Sequence, residues 1–214
     1  MANIWQSDRF MLVCWIFWVP FSITLHELGH GWAALWEGDD TPKHLNHMTW
    51  DPFVHMGGMS WLVFALVGIA WGAMPVNPLR FRHRIYGDAI VSVAGPVMNL
   101  GLTLVCGLAL AIVTSFFWES AGEAWFRNLG TFLSTGGFLN DALFLFNLVP
   151  IPPLDGSRIL ACFSRPYRHF IGSPHAQQLS MFAFLLLFFV GGRYIFRFGL
   201  QMFDGYVSFV ASFL

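Results

Sequence analysis

Long apolar segments constrain the fold of this chain more than any other feature of its sequence. Four of them reach the roughly 20 apolar residues that a helix needs to cross a bilayer. They lie at about 10–36, 58–77, 89–118 and 129–154. Charged residues make up 11% of the 214 residues, whereas an ordinary soluble domain has about 25%. Because backbone polar groups in hydrocarbon must be satisfied within helices, these segments predict an all-α polytopic membrane protein.

A fifth apolar segment starts near Ala176 and is interrupted after Val190 by two glycines and by Arg193 and Arg197. The pattern fits either one tilted helix with an interfacial tail or two short helices. No linker or segment of soluble-domain size separates the apolar elements. We therefore expect one domain over residues 1–214, with a core at about 10–160 and C-terminal membrane helices at about 176–214.

Charge bias in the connections predicts the orientation of the helices. The connections that hold residues 80–84 and 158–168 are rich in arginine, which places them in the cytoplasm by the positive-inside rule. The connection at 119–128 then lies outside. No basic tract with interleaved aromatic residues resembles a nucleic-acid surface, so the bilayer is the partner that the composition predicts and nucleic acid is not.

The pentapeptide HELGH places His26, Glu27 and His30 directly after an uncharged stretch at 10–25. An ionisable group in hydrocarbon is costly and is usually functional. Residues four apart share one face of a helix, so the two imidazoles can bind one cation while Glu27 stands beside it as a base. The motif predicts a zinc hydrolase site at membrane depth.

A third ligand is needed, because a catalytic zinc site normally takes three protein ligands and a water. Asp155 follows three prolines that prevent regular helix, and Gly156 after it permits a turn, so its carboxylate can project from unwound backbone. Asp141, in the middle of an apolar segment, is a rival ligand. His44 and His47 could hold a second ion, although their position in a polar connection favours exposed loop residues.

Three motifs in a fixed order give the chain a resemblance to a known family. They are HELGH at 26–30, AGPVMN at 94–99 and NLVPIPPLDG at 147–156. With these motifs the chain resembles the site-2 protease family of intramembrane zinc metalloproteases. The segments TWDPFVH at 49–55 and PVNP at 75–78 are similar to the compact bacterial branch that lacks accessory domains.

The resemblance implies one zinc ion per chain and assigns roles to individual residues. The metal ligands that it implies are His26, His30 and Asp155. Glu27 is implied as the catalytic residue. Asn99 matches the family's polar contact to the substrate backbone, and Asn147 is a further candidate for substrate binding. Asn99 could instead only hydrogen-bond between helices.

The function that follows is an intramembrane zinc metalloendopeptidase. It would hydrolyse peptide bonds in or near transmembrane segments of membrane-protein substrates, in regulated intramembrane proteolysis. The expected location is the bacterial plasma membrane, with the active site toward the cytoplasm. A catalytically silent binder or chaperone would be expected to lose Glu27 or a ligand, and a metal transporter would need a relay of sites across the bilayer. The oligomeric state is left open.

The shared metal site also predicts a topology. His30 and Asp155 can reach one ion only if the first and fourth apolar segments run in the same direction, from outside to inside. The segment 58–77 then lies between two cytoplasmic connections, so we expect it to be re-entrant. Its length alone would also allow it to span the membrane.

Overall fold

The computed structural model describes residues 9–117, 119 and 122–214. The first five helices are α1 (Arg9–Trp36), α2 (Thr41–His44), α3 (Pro52–Val67), α4 (Gly87–Phe116) and α5 (Ala124–Asn147). The later ones are α6 (Asp155–Phe163), α7 (Arg165–Ile171), α8 (Pro174–Leu186) and α9 (Gly192–Ala211). A 3-10 turn covers Pro78–Arg80, and a π-helical turn, Leu187–Gly191, joins α8 to α9. Within the described residues there is no β-strand, which confirms the predicted all-α fold.

In the part of the chain that the structure describes, four helices are long and apolar enough to cross a membrane. They are α1, α4, α5 and the continuous helical path Pro174–Ala211. The fifth apolar segment is therefore one helical path of 38 residues through a π turn, and not two separate short helices. The predicted segment 58–77 is different, because its helix α3 has only 16 residues.

Helices α1, α4 and α5 form the centre of the bundle, and their directions follow from specific contacts. The Trp18 indole N–H donates to the Phe132 carbonyl at 2.9 Å, and farther along both helices Ser22 Oγ accepts from Asn140 at 2.9 Å. Helices α1 and α5 thus run in the same direction, as the shared metal site requires. Gly29 of α1 lies close against Met98 of α4, and this small residue lets the two backbones approach.

Helix α9 covers the outer side of α4 and α5. Phe203 is buried against Gly137, and the Tyr206 hydroxyl donates to the Leu104 carbonyl at 3.2 Å. Earlier in α9, Gly199 lies near the carboxylate of Asp141 in the later part of α5. Helix α9 therefore runs antiparallel to α5.

The segment 58–77 forms a hairpin. After α3 the chain returns in extended form, and the Trp71 N–H donates to Ser60 Oγ at 2.9 Å. Farther along the return, the Ala73 N–H donates to the His55 carbonyl at 3.0 Å. The return segment thus runs antiparallel to α3, and the hairpin begins and ends at the same end of the bundle. This is the arrangement that the re-entrant alternative predicts.

Two buried carboxylates beyond the end of α1 hold the base of this hairpin. Asp39 accepts hydrogen bonds from the backbone N–H groups of Thr41 at 3.0 Å and Asn77 at 2.6 Å. Glu37 accepts from the backbone N–H and from Nδ1 of His83, each at 2.9 Å. Burial raises the pKa of Glu37, but the hydrogen bonds from His83 outweigh burial and leave the pKa below its ordinary value. The 37–57 connection is acidic in sequence, yet these two acids are structural.

Candidate metal centre

Three ligand atoms converge between the second half of α1 and the beginning of α6. The Nε2 atoms of His26 and His30 are 3.0 Å apart. Asp155 Oδ2 lies 3.1 Å from Nε2 of His26 and 3.4 Å from Nε2 of His30. The two histidines share one face of α1 because they are four residues apart. Asp155 is the first residue of α6, and it follows the irregular stretch 148–154 that the prolines produce.

Hydrogen bonds on the far side of each imidazole fix its tautomer. Nδ1 of His30 lies 2.7 Å from the Val91 carbonyl oxygen, which can only accept, so Nδ1 carries the proton. Nδ1 of His26 lies 2.6 Å from Asn99 Oδ1 and donates in the same way. In the neutral rings both Nε2 atoms are then unprotonated, and their lone pairs point toward each other and toward Asp155.

A bound cation would remove the repulsion among these three acceptor atoms. Asp155 Oδ2 is buried and has no hydrogen-bond partner among the described residues. Three acceptors face one another at 3.0–3.4 Å, which is repulsive unless a positive charge lies between them. Tetrahedral zinc with bonds of about 2.0–2.2 Å separates its ligands by about 3.3 Å, so the observed spacing suits that ion. Two imidazoles and one carboxylate are also a catalytic zinc donor set with a fourth position for water.

A cavity of about 260 Å³ opens on the three ligands, and Glu27 lines it. The return segment of the hairpin lines the same cavity with Gly72, Ala73, Met74 and Val76. A Cβ added at Gly72 would lie 2.6 Å from Glu27 Oε1. The backbone of the hairpin therefore covers the carboxylate of Glu27, which is only 7% exposed.

The two asparagines predicted to bind substrate occupy different environments. Asn147 is half-buried in the wall of the cavity, and its Nδ2 donates to the Leu143 carbonyl of its own helix at 3.0 Å. Asn99 lies behind His26 and is fully buried. Both polar atoms of its amide are hydrogen-bonded, to His26 and to Asn140. Asn99 does not line the cavity, and it makes the hydrogen bond between helices that the sequence left open as the alternative.

Two glycines in the sequence motifs allow the close approach of backbone to the site. A Cβ at Gly95 of α4 would lie 2.5 Å from His30 Cε1 and 2.6 Å from His26 Nε2. A Cβ at Gly156 would lie 2.6 Å from the Val149 carbonyl oxygen, so any side chain there would disrupt the turn that delivers Asp155. Both glycines serve the geometry of the ligands.

The rival metal ligands lie elsewhere. Asp141 is buried next to Gly199 of α9, at 3.4 Å from the position of an added Cβ there, and it does not join the cluster. His44 is exposed and bonds Asp40 at 2.8 Å, whereas His47 is half-buried and lies 2.9 Å from the Leu45 carbonyl. Neither histidine belongs to a group of metal-ligating side chains among the described residues.

One charged group of the cavity was missed as a site residue. Arg158 lines the cavity and pairs with Asp88 Oδ1 at 2.8 Å. In the sequence, Arg158 is one of the arginines that predict the orientation of the helices. Its position three residues after Asp155, about one turn of α6, is the signal that could have placed it beside the site.

Comparison with known proteins places these features in a family. The sequence model of peptidase family M50 matches residues 14–191. YwhC of Bacillus subtilis is 37% identical over 140 residues, which cover 65% of this chain and 64% of that protein. Rip2 of Mycobacterium tuberculosis is 31% identical over 172 residues, covering 78% and 63%. Zinc metalloprotease MJ0392 of Methanocaldococcus jannaschii is 27% identical over 184 residues, covering 81% and 43%. No solved structure matches the chain.

The chain spans less than two thirds of the length of these relatives. The family match includes all three ligand positions and most of the bundle. It confirms the resemblance to the site-2 protease family, and the name of MJ0392 agrees with the predicted zinc cofactor. The chain belongs to peptidase family M50.

Proposed function

We propose that the chain is an intramembrane zinc metalloprotease, which hydrolyses peptide bonds in or near transmembrane segments of membrane-protein substrates in regulated proteolysis. The observation that carries the proposal is the convergence of His26, His30 and Asp155 next to the carboxylate of Glu27. Among the described residues this is one cluster at one depth, whereas a metal transporter needs a relay of sites.

The depth of the cluster supports an intramembrane substrate. Helix α1 ends at Trp36, and the two histidines lie about 9–15 Å before that end along the helix axis. They are buried in a helix that is apolar enough to cross a bilayer. The arginine-rich connections support a cytoplasmic orientation of the site, in the plasma membrane of a bacterial cell.

In the proposed mechanism His26, His30 and Asp155 would hold one zinc ion. Zinc, when bound, lowers the pKa of a water ligand and polarises the carbonyl of the peptide bond. The Glu27 carboxylate takes the proton from the attacking water and later passes it to the leaving amine. The hairpin backbone over Gly72 keeps Glu27 away from bulk solvent, which strengthens its interaction with the reacting groups.

The size of the cavity limits how the substrate binds. A helix with its side chains is about 10–12 Å wide, and a cavity of about 260 Å³ cannot contain one. The cleaved part of the substrate therefore enters as locally unwound chain. Unwinding frees backbone N–H and C=O groups that need new partners. We propose the half-buried amide of Asn147 as one such partner in the cavity wall.

Substitution of Glu27 tests the mechanism. We expect Glu27→Gln to bind about one zinc ion per chain, because both imidazoles and Asp155 remain, and to lose cleavage of a transmembrane reporter. His26→Ala should lose zinc as well as cleavage. The matched control is Glu123→Gln, which removes an exposed carboxylate at the beginning of α5 and should keep both properties. Cleavage by Glu27→Gln at the wild-type rate contradicts the mechanism. A wild-type protein with zinc and no cleavage of any transmembrane reporter favours the silent binder.

A further inference from the structure

A chain of buried polar side chains runs from His26 across the centre of the bundle. Asn99 Nδ2 donates to Asn140 Oδ1 at 2.8 Å, and Asn140 Nδ2 donates to Ser22 Oγ at 2.9 Å and to the Gly136 carbonyl at 2.8 Å. Ser22, Asn99 and Asn140 are each 0% exposed. We call these three residues the amide relay. It joins α1, α4 and α5.

The direction of every hydrogen bond in the relay follows from one group that can only accept. The Gly136 carbonyl must receive an N–H, which turns the amide nitrogen of Asn140 toward it and the amide oxygen toward Asn99. Asn99 must then donate to Asn140 with its nitrogen, which leaves its oxygen facing His26. The ring of His26 must therefore donate from Nδ1. The relay therefore leaves Nε2 of His26 unprotonated, with its lone pair toward Asp155.

The burial of the relay at membrane depth allows only one orientation of its amides. At membrane depth there is no bulk water to replace a lost partner, so a flipped amide would leave buried polar groups unpaired. A hydrogen bond from the second ring nitrogen of a metal-bound histidine orients the ring and raises its basicity. His30 obtains the same support from a backbone carbonyl, which no side-chain substitution removes. His26 depends on side chains.

We infer that Asn99 and Asn140 are positioning residues that set the tautomer and the ring orientation of His26 for zinc. Ser22 supports Asn140 from the neighbouring turn of the same helix that carries His26. The inference rests on the proposed role of His26 as a ligand. It gives Asn99 a part in the site that does not involve contact with the substrate.

The test measures zinc affinity of the purified full chain by competition with a chelator, together with the unfolding temperature of the metal-free protein. We expect Asn99→Leu and Asn140→Leu to bind zinc about 10- to 100-fold more weakly. Asn99→Asp keeps an acceptor for Nδ1 of His26 but loses the N–H that Asn140 Oδ1 accepts, so it should bind zinc more tightly than Asn99→Leu. The matched control is Thr103→Val, which removes a buried hydrogen bond to the Gly137 carbonyl of α5 at 3.2 Å and one to the Asn99 backbone carbonyl within α4 at 3.1 Å, without touching His26 or the Asn99 amide. It should lower the unfolding temperature and leave zinc affinity unchanged.

The outcomes separate the inference from the function on which it rests. Wild-type zinc affinity in both leucine variants overturns the relay, and so does an equal loss in Thr103→Val, which would indicate a general packing defect. If His26→Ala itself binds zinc like the wild type, the proposed metal site fails instead. Should the leucine variants not fold, Asn99→Ala decides, because it removes the acceptor for Nδ1 of His26 without adding a larger side chain. We expect it to weaken zinc binding about 10- to 100-fold, and an unchanged affinity overturns the relay.

Discussion

Gly95→Ala is the smallest change expected to disable the metal site. Its new methyl group would lie 2.5 Å from His30 Cε1 and 2.6 Å from His26 Nε2, about 0.9 Å closer than ordinary contact begins. The rings cannot rotate away freely, because Asn99 and the Val91 carbonyl hold them from behind. A displacement of about 1 Å in a catalytic site costs about 100-fold in rate. We expect a loss of that size in cleavage and zinc binding weakened about 10- to 100-fold.

The same helix offers a matched control. Gly101 of α4 is exposed, and a Cβ there meets no atom within 4 Å. Gly101→Ala should therefore keep wild-type zinc content and cleavage. Both variants are assayed by elemental analysis of the purified protein and by cleavage of a transmembrane reporter. A Gly95→Ala protein with full zinc and wild-type cleavage would refute the reasoning, because it would mean that no metal lies between these histidines or that α4 moves at no cost.

Three further predictions follow from the geometry. Asp155→Ala should lose zinc and Asp141→Asn should keep it, as measured by metal content, because only the first carboxylate meets the histidines. Cysteines placed at Lys43 and Arg84 should be labelled from the same side of the membrane, since the hairpin begins and ends at one end of the bundle. The stability that the depressed pKa of Glu37 provides is present above the ordinary value of 4.5 and is lost as the pH falls below it. The advantage in unfolding temperature over Glu37→Gln should accordingly shrink in acid.

The metal cluster could be predicted from the sequence because its determinants are local. A spacing of four on a helix puts His26 and His30 on one face whatever the rest of the chain does. The prolines before Asp155 end the preceding helix whatever the rest of the chain contacts. The choice between Asp155 and Asp141 needed only the recognition that broken backbone presents a carboxylate better than a helix interior.

The hydrogen-bond partners of Asn99 could not be predicted because they depend on contacts between distant segments. A polar residue on an apolar helix is equally compatible with a cavity and with a neighbouring helix. Its partner Asn140 is 41 residues away, and only the packing of α4 on α5 brings the two amides together. The structural part of Glu37 and Asp39 was missed for the same reason, since His83 lies 46 residues after Glu37 and Asn77 lies 38 residues after Asp39.

The hairpin at 58–77 could be predicted only in part from the sequence. Hydrophobic length does not distinguish a span from a re-entrant segment, because both avoid charge. The deciding feature is Ser60, whose hydroxyl both accepts from and donates to the backbone of Trp71. A single hydroxyl in an apolar run does not show whether it bonds its own helix or a returning chain.

The ligand set joins residue 26 to residue 155, and this has a thermodynamic consequence. A cation bound there would link α1 to the start of α6. By linkage, each tenfold increase of free metal above its dissociation constant adds about 1.4 kcal/mol to the free energy of unfolding. Thermal unfolding followed during metal titration would therefore report occupancy of the site without any substrate, even in Glu27→Gln, which we expect to lose cleavage.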